Sequence, residues 1–373
     1  MLTIEELNKG TQAVEKLYSK MQLSLLELIA DAIKTQIEEG EEINITLWQV
    51  DKLSQMDLLN RRAAREIGRV VDVSEKVISE AIEKNGLKVL EDTDSYIDTT
   101  GEILTPRLPT IEIINEMARG TFIEIDNFVN QTLITTNFGE GTVSLMYRDI
   151  IQESATLHTS GVLTLDKAIS RTMMKWVDAG VPSSFIDKGG NRWSMKRYIK
   201  TVLRSTNARV YNELRTARMA EFGLTTVLMS SKLAARPACA PIQGKVLDIT
   251  EERLNPEYPN VYDYGYGTPA GTRGINCGHM WFPFDPEINI NEQMQFDEED
   301  ALKQYEINQT RNRLRARIEN TEEKLAIAGR LNDMNEMVRL RNLHNRQTAT
   351  LKVYNKHIKA EEQRIIDKYY AHR

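Results

Sequence analysis

Six of the ten prolines, both cysteines and one of the five histidines fall between residues 230 and 285 of a 373-residue chain. Proline removes a backbone donor and breaks helices, and glycine punctuates turns. This stretch therefore reads as a compact loop-and-strand unit. The sequence on either side of it is built the opposite way.

Upstream, Val14, Leu17, Met21, Leu25, Leu28 and Ile29 recur close to helical period. Thr3 with Glu6 has the spacing of a capping box, and Gly40 ends that element. A second helix is predicted from Leu47 to about Val71. A third is capped by Asp72 or Ser74 and stopped by Asn85-Gly86, followed by a loop over 91–109 with Asp94, Pro106 and Pro109. Another helix spans roughly Thr110 to Thr135. After Gly139-Glu140-Gly141 come helices at 142–157 and 165–179, the latter ended by Gly180, and a turn at Asp187-Lys188-Gly189-Gly190-Asn191. Trp193 to Phe222 reads as one long helix, and Leu224 to Met229 as a short apolar strand. Beyond Pro286 the sequence is helical again, from about residue 291. Leu314, Ile318, Leu325, Leu331, Met334, Met337 and Leu340 form a thin stripe, with Gly329 to Asp333 as a turn. Such a stripe predicts a helical hairpin or coiled coil that needs a partner surface. The expected fold is α+β, mostly α: a helical region over 1–137, a small mixed module completing 138–285, and a helical arm over 286–373.

No apolar run approaches the ~20 residues of a membrane helix. The longest, Leu23 to Ile33, is broken by Ser24, Glu27 and Asp31, and the first residues show no secretory leader pattern. Two cysteines do not make a disulfide scaffold. Net charge is −6 but uneven: residues 1–140 hold 14 Lys+Arg and 26 Asp+Glu, residues 141–373 hold 34 and 28. That division predicts different neighbours for the two parts. Between 188 and 222, nine basic residues face only Glu213 and Glu221. The stretch is either a solvated helix face or a surface for phosphate or an acidic partner. Lys196, Arg197, Lys200 and Arg204 are the candidate contacts, with the acidic N-terminal region expected to face elsewhere.

Two blocks in the irregular stretch carry chemistry: Ala235-Arg236-Pro237-Ala238-Cys239 with Gln243-Gly244-Lys245, and Gly274-Ile275-Asn276-Cys277-Gly278-His279. Cys239, Cys277 and His279 are ligands of the kind zinc takes. A Cys 38 residues upstream of Cys-x-His is not a finger spacing, and His158 or Asp285 would have to supply a fourth ligand. Two reduced packing cysteines, a metal site and a disulfide all remain open, with zinc as the possible cofactor. Both blocks are expected to meet in one unit. Arg236, Gln243, Lys245 and His279 could form a nuclease-type site. The plainer reading has Arg236, Gln243, Lys245 and Asn276 stabilising the module through hydrogen bonds. No H-E-x-x-H, Walker A, G-x-S-x-G or G-x-G-x-x-G pattern occurs, so no catalytic residue is assigned.

Taken in order, the run from Met229 to Cys239, Gln243-Gly244-Lys245, Tyr264-Gly265-Tyr266-Gly267, Asn276-Cys277-Gly278-His279 and Pro283-Phe284 resembles the signature of tailed-phage minor capsid protein 2. Gly180, Phe185-Ile186-Asp187, Gly190, Trp193 and Tyr198 precede it in family order, so the resemblance covers about 160–290. Three positions depart: Lys232 stands where the family often has His, Ala234 where it often has Gly, and Gly278 where Arg is common. The resemblance implies a structural, low-copy phage head protein, similar in role to Mu-like head-morphogenesis proteins. It implies association with the portal, other head proteins and packaged double-stranded DNA, and a part in head assembly or DNA delivery. It places several copies in the virion near the portal, and in the host cytoplasm during assembly, without a membrane. A nucleic-acid-processing enzyme with a nuclease-like module at 230–285, or a non-catalytic DNA-binding protein, are the alternatives.

Overall fold

The computed structural model describes residues 4–34, 43–97, 108–129, 142–186, 192–268, 270–274 and 277–370. Its helices are α1 (Ile4–Ile33), α2 (Ile45–Ser54), α3 (Met56–Ile97), α4 (Leu108–Val129), α5 (Thr142–Thr159), α6 (Leu165–Ala179), α7 (Met195–Glu221), α8 (Glu298–Arg330) and α9 (Met334–Tyr370). A two-stranded ribbon pairs β1 (Pro182–Ile186) with β2 (Arg192–Ser194), and a three-stranded antiparallel sheet has the order β4 (Val246–Asp248), β3 (Thr226–Met229), β5 (Trp281–Pro283). The fold is mostly α with a small β part.

Helix α7 is the hub. It packs against α1, α3 and α4, and its buried residues run from Met195 and Ile199 through Tyr211 and Leu214 to Met219 on more than one face. Helix α1 meets it with Leu7, Val14, Tyr18, Met21, Leu25 and Ile29, all fully buried at helical spacing. The apolar faces alone would allow the helices to slide. Polar groups fix their register. The Asn85 amide donates to the Leu7 carbonyl at 2.9 Å and to Asn207 Oδ1 at 3.2 Å. Asn207 in turn donates to Asn8 Oδ1 and Thr11 Oγ1, both at 3.0 Å. One node therefore joins α1, α3 and α7.

These contacts correct the expected N-terminal helices. The helix foreseen over 47–71 is split at Gln55, and α3 then runs unbroken for 42 residues, about 63 Å, through Asp72, Ser74 and Asn85-Gly86. Ser74 does not cap a helix: its hydroxyl bonds the Val71 carbonyl and Tyr18 of α1. Asn85 is consumed by the node. Gly86 is where α4 presses on α3, since a Cβ there would lie 2.6 Å from Ile114 Cδ1. Asp94, expected in a loop, sits near the end of α3. Thr3, Gly40, Pro106, Gly139-Glu140-Gly141 and the 187–191 turn lie outside the described residues. The β1–β2 ribbon was not foreseen, because its strands are short and one opens on a proline. α6 and α7 lie close to their expected limits, with Ser194 capping α7 by accepting from the Arg197 N–H.

The three-stranded sheet separates two cores. Leu228, Phe282 and Phe284 pack with the helices. Val227, Met229 and Trp281 face a second cluster that holds Ala235, Cys239, Ile242, Leu247 and Cys277. Alternate residues of one strand thus serve opposite sides. Both sides of β3 are covered, which is why its sequence is continuously apolar after Thr226. Residues 285–297 form no helix, so the C-terminal arm begins at Glu298 rather than near 291. The arm is a hairpin with its turn at Leu331–Asp333, and α8 docks on α1 and α6.

The charge division is spent inside the chain, which overturns the expectation that the acidic region faces away from the basic helix. Arg204 pairs with Glu15, Arg218 with Asp94, and Arg330 with Glu27 and Asp31. Lys196 reaches Glu319 and Glu323 of α8.

The glycines of α3 give a matched test. A Cβ at Gly68 would meet nothing within 4 Å, so Gly68→Ala is expected to stabilise by up to about 1 kcal/mol through helix propensity. Gly86→Ala is expected to lose stability, because overpacking Ile114 costs roughly 1–3 kcal/mol. Urea midpoints that move in the same direction for both variants would contradict this packing.

Candidate functional site

The polar joint between the motif module and the helices centres on Arg215. Arg215, buried in α7, donates to the Asp92 carboxylate, the Thr93 hydroxyl at 3.2 Å and the Trp281 carbonyl of β5. Its guanidinium lies over the Tyr211 ring, and the Tyr211 hydroxyl donates to the same carbonyl at 2.8 Å. Burial pushes the Tyr211 phenol up to about 12, with the nearby Arg215 and Arg273 acting in the opposite direction. Arg273, buried on the module side, donates to Asn212 of α7. Arg215 and Arg218 belong to the basic run over 188–222, yet both are buried and paired with carboxylates more than 120 residues earlier in the chain.

Inside the module, β3 ends at Met229 and the chain turns through Arg236 to Cys239, while β5 is entered from Cys277 and His279. The two blocks meet. Cys239 Sγ lies 3.7 Å from Cys277 Sγ, and Cys277 Sγ lies 3.6 Å from His279 Nδ1. His279 Nε2 is 3.1 Å from Gln243 Oε1, which also accepts the Lys232 backbone N–H at 2.9 Å. Cys277 is held well below the usual thiol range by the hydrogen bond from Cys239, against its burial. Cys239 is pushed up because it keeps the shared proton and is itself buried. Both cysteines are free thiols.

The remaining expected site residues fall in different places. Arg236 donates to the Ala270 and Gly271 carbonyls and so ties the first block to the Gly-rich loop. The Lys245 side chain is exposed, while its carbonyl accepts from Met229 N. Asn276 lies outside the described residues. His158 faces the Leu163 carbonyl, and Asp285 accepts the Glu287 N–H. Among the described residues, no fourth His, Cys, Asp or Glu joins the cluster. Of the four candidate contact residues on α7, Lys196 and Arg204 are ion-paired within the chain, Arg197 lies over the Trp193 ring, and Lys200 is half-buried. Lys232 and Gly278 are neighbours: a Cβ at 278 would lie 2.7 Å from Lys232 Nζ. The ammonium occupies space that a larger side chain at 278 would need, so these two departures from the family pattern are coupled in space.

Sequence reasoning missed Asp248 at the end of β4. Its fully buried carboxylate accepts from the Thr250 hydroxyl and backbone N–H, Asn255 and Asn260, which shapes the loop leading to the short 3-10 turn at Val261–Tyr264. The signal was present as Asp248, Thr250, Asn255 and Asn260 in one short run, residues whose side chains bond nearby backbone.

Residues 2–368 match the family described as phage minor capsid protein 2, and this chain belongs to that family. It is 34% identical over 333 residues to a structural protein of Lactococcus phage LL-H, covering 86% of this chain and 88% of that protein. A structural protein of Lactococcus phage mv4 is 40% identical over 85 residues, 23% of this chain and 69% of that protein. No solved structure matches.

Two substitutions probe these anchors. Arg215→Ala removes a buried guanidinium from beside the largely buried Asp92 carboxylate and should cost about 3–5 kcal/mol in chemical denaturation, whereas a loss under about 1 kcal/mol would mean that the joint lies elsewhere. Burial would raise the Asp248 pKa, but the donors outweigh it and hold the carboxyl below its ordinary value. Its stabilisation is therefore present above the unfolded value of about 3.9 and lost as pH falls through the lower folded value. Asp248→Asn should flatten the acid limb of a stability–pH profile; an unchanged limb counts against the network.

Proposed function

We propose that this protein is a non-catalytic component of the phage head, present in a few copies per virion and seated near the portal. Other head proteins are its neighbours there, and packaged DNA is a second contact. It would act in head assembly or DNA delivery. The observation that carries this reading is that Arg236, Gln243 and His279 are committed within the motif module, while the helices carry exposed apolar residues and cations. In the module, Arg236 is tied to loop carbonyls, Gln243 and His279 bond each other in the interior, and Lys245 stands apart on the surface. A nuclease-type site would need these groups to converge on a solvent-facing substrate.

The helical surfaces offer two kinds of contact. Leu47 and Val50 on α2, Leu58 on α3, and Met334, Val338 and Val353 on α9 are exposed apolar residues suited to a protein neighbour. Arg313, Arg315 and Arg317 on α8, with Lys352, Lys356 and Lys359 on α9, are exposed and make no ion pair among the described residues. They are better placed for phosphates than α7, where Lys196 and Arg204 are already engaged.

The test is co-expression with the portal protein of the same phage. The two are expected to elute together at a fixed ratio that survives high salt; portal assemblies free of this chain at every salt concentration would refute the attachment. Duplex DNA binding should weaken by about 0.9 logarithmic units per phosphate contact for each tenfold rise in salt. Changing the six hairpin cations to Gln should flatten that slope, and an unaltered slope removes the DNA contact from the hairpin.

A further inference from the structure

The geometry points to a zinc site formed by Cys239 Sγ, Cys277 Sγ and His279 Nδ1. This inference does not depend on the place of the protein in the virion. The ligand atoms of the three residues all lie within 4.8 Å of one another, and the residues are buried, at 0%, 3% and 2% exposure. In tetrahedral coordination, Zn–S of about 2.3 Å and Zn–N of about 2.05 Å place two sulfurs about 3.75 Å apart and a sulfur and a nitrogen about 3.55 Å apart. The observed separations are 3.7 Å for the two sulfurs and 3.6 Å for Cys277 Sγ to His279 Nδ1. Two edges of the polyhedron are thus already drawn to length. A disulfide would require sulfurs at about 2.05 Å instead.

The surroundings orient the histidine as a ligand. Gln243 Oε1 accepts the Lys232 N–H, which fixes the amide with its oxygen towards His279. An amide oxygen only accepts, so His279 Nε2 carries the hydrogen in that contact. Nδ1 is left as the nitrogen with a lone pair for a cation, and it is the one facing Cys277. A ligating imidazole held through its other ring nitrogen by an acceptor is the usual outer-shell arrangement at zinc. The Arg273 backbone N–H approaches the Cys239 sulfur as a further donor. Soft sulfur with imidazole selects zinc over magnesium or calcium. Two thiolates also neutralise a divalent ion, so no net charge is buried by the site itself. With three protein ligands, the fourth position is left to a water molecule or another small donor.

The site predicts more than a metal content. Zinc would tie the loop after β3 to the strand entry of β5, and so close the module around the sheet. Gln243 is a positioning residue, and Gln243→Leu should weaken zinc affinity about 10–100-fold while the protein remains folded. Cys239→Ser, Cys277→Ser and His279→Ala should each lower bound zinc to a small fraction of the wild-type level.

The experiment uses the full-length protein, purified under reducing conditions without chelator, reconstituted with zinc anaerobically and desalted. Metal analysis is expected to give about one equivalent. Replacement by cobalt(II) is expected to give the intense visible bands of a tetrahedral site and a thiolate-to-cobalt charge-transfer band. Both thiols should resist titration until a chelator is added. Less than about a tenth of an equivalent in reconstituted wild-type protein would overturn the site. So would a cobalt spectrum without the thiolate band, or full metal retention by the Cys239→Ser/Cys277→Ser double variant. Because the cobalt spectrum and thiol titration are read on wild-type protein, failure of a variant to fold does not rescue the inference.

Discussion

One buried guanidinium determines how the two parts of this protein meet. Arg215 is held between a carboxylate at the end of a long helix and a carbonyl of a sheet edge strand, with an aromatic ring beneath it. Its planar fork can satisfy three acceptors in different directions, which a lysine at the same place could not do. A buried charge tolerates few alternative arrangements, since each acceptor left behind carries a desolvation cost. Apolar packing between the helices and the sheet would by itself accept several rotations. The ion pair and the shared Trp281 carbonyl accept one.

That joint is one of several ion pairs that cross the charge division of the chain. Arg204, Arg215, Arg218 and Arg330 each find a carboxylate of the acidic N-terminal region, so part of the imbalance is paired within the chain. The C-terminal hairpin keeps exposed cations outside these pairs, among them Arg313, Arg315, Arg317, Lys352, Lys356 and Lys359. Structural phage proteins work by forming contacts with neighbours, and here the long helices carry many exposed cations and apolar residues while Cys239, Cys277, Gln243 and His279 of the motif-rich module point inward.

Much of the helical architecture was legible because period alone reports it. Val14, Met21, Leu25 and Ile29 of the stripe read from the sequence are fully buried in α1, Leu17 and Leu28 are partly buried, and Leu7 and Tyr18 complete the buried face. The proximity of Cys239, Cys277 and His279 was also foreseeable, since both motif blocks fall in one short irregular unit. The errors have a common physical source. Asn85-Gly86 looks like a helix stop when only local preference is weighed; its amide partners are Leu7 and Asn207, and its close neighbour is Ile114, none of them local. Arg215 and Arg218 look like surface charge for the same reason, because Asp92 and Asp94 are more than 120 residues away. Propensity describes a segment, whereas tertiary partners decide its fate. The polar role of Gln243 was anticipated, but its aim at His279 required the turn that brings 243 beneath 279.

The amide node of Asn8, Asn85 and Asn207 has a mechanical consequence. Helices that meet through greasy stripes can shear, because one set of methyl groups replaces another at little energetic penalty. Here a slip of α3 along α7 by one turn would strand several interior amides at once, each at about 1–3 kcal/mol. Shear is therefore stiff at the level of the node. A pull along the 42-residue strut α3 is carried past it towards Asp92 and the sheet.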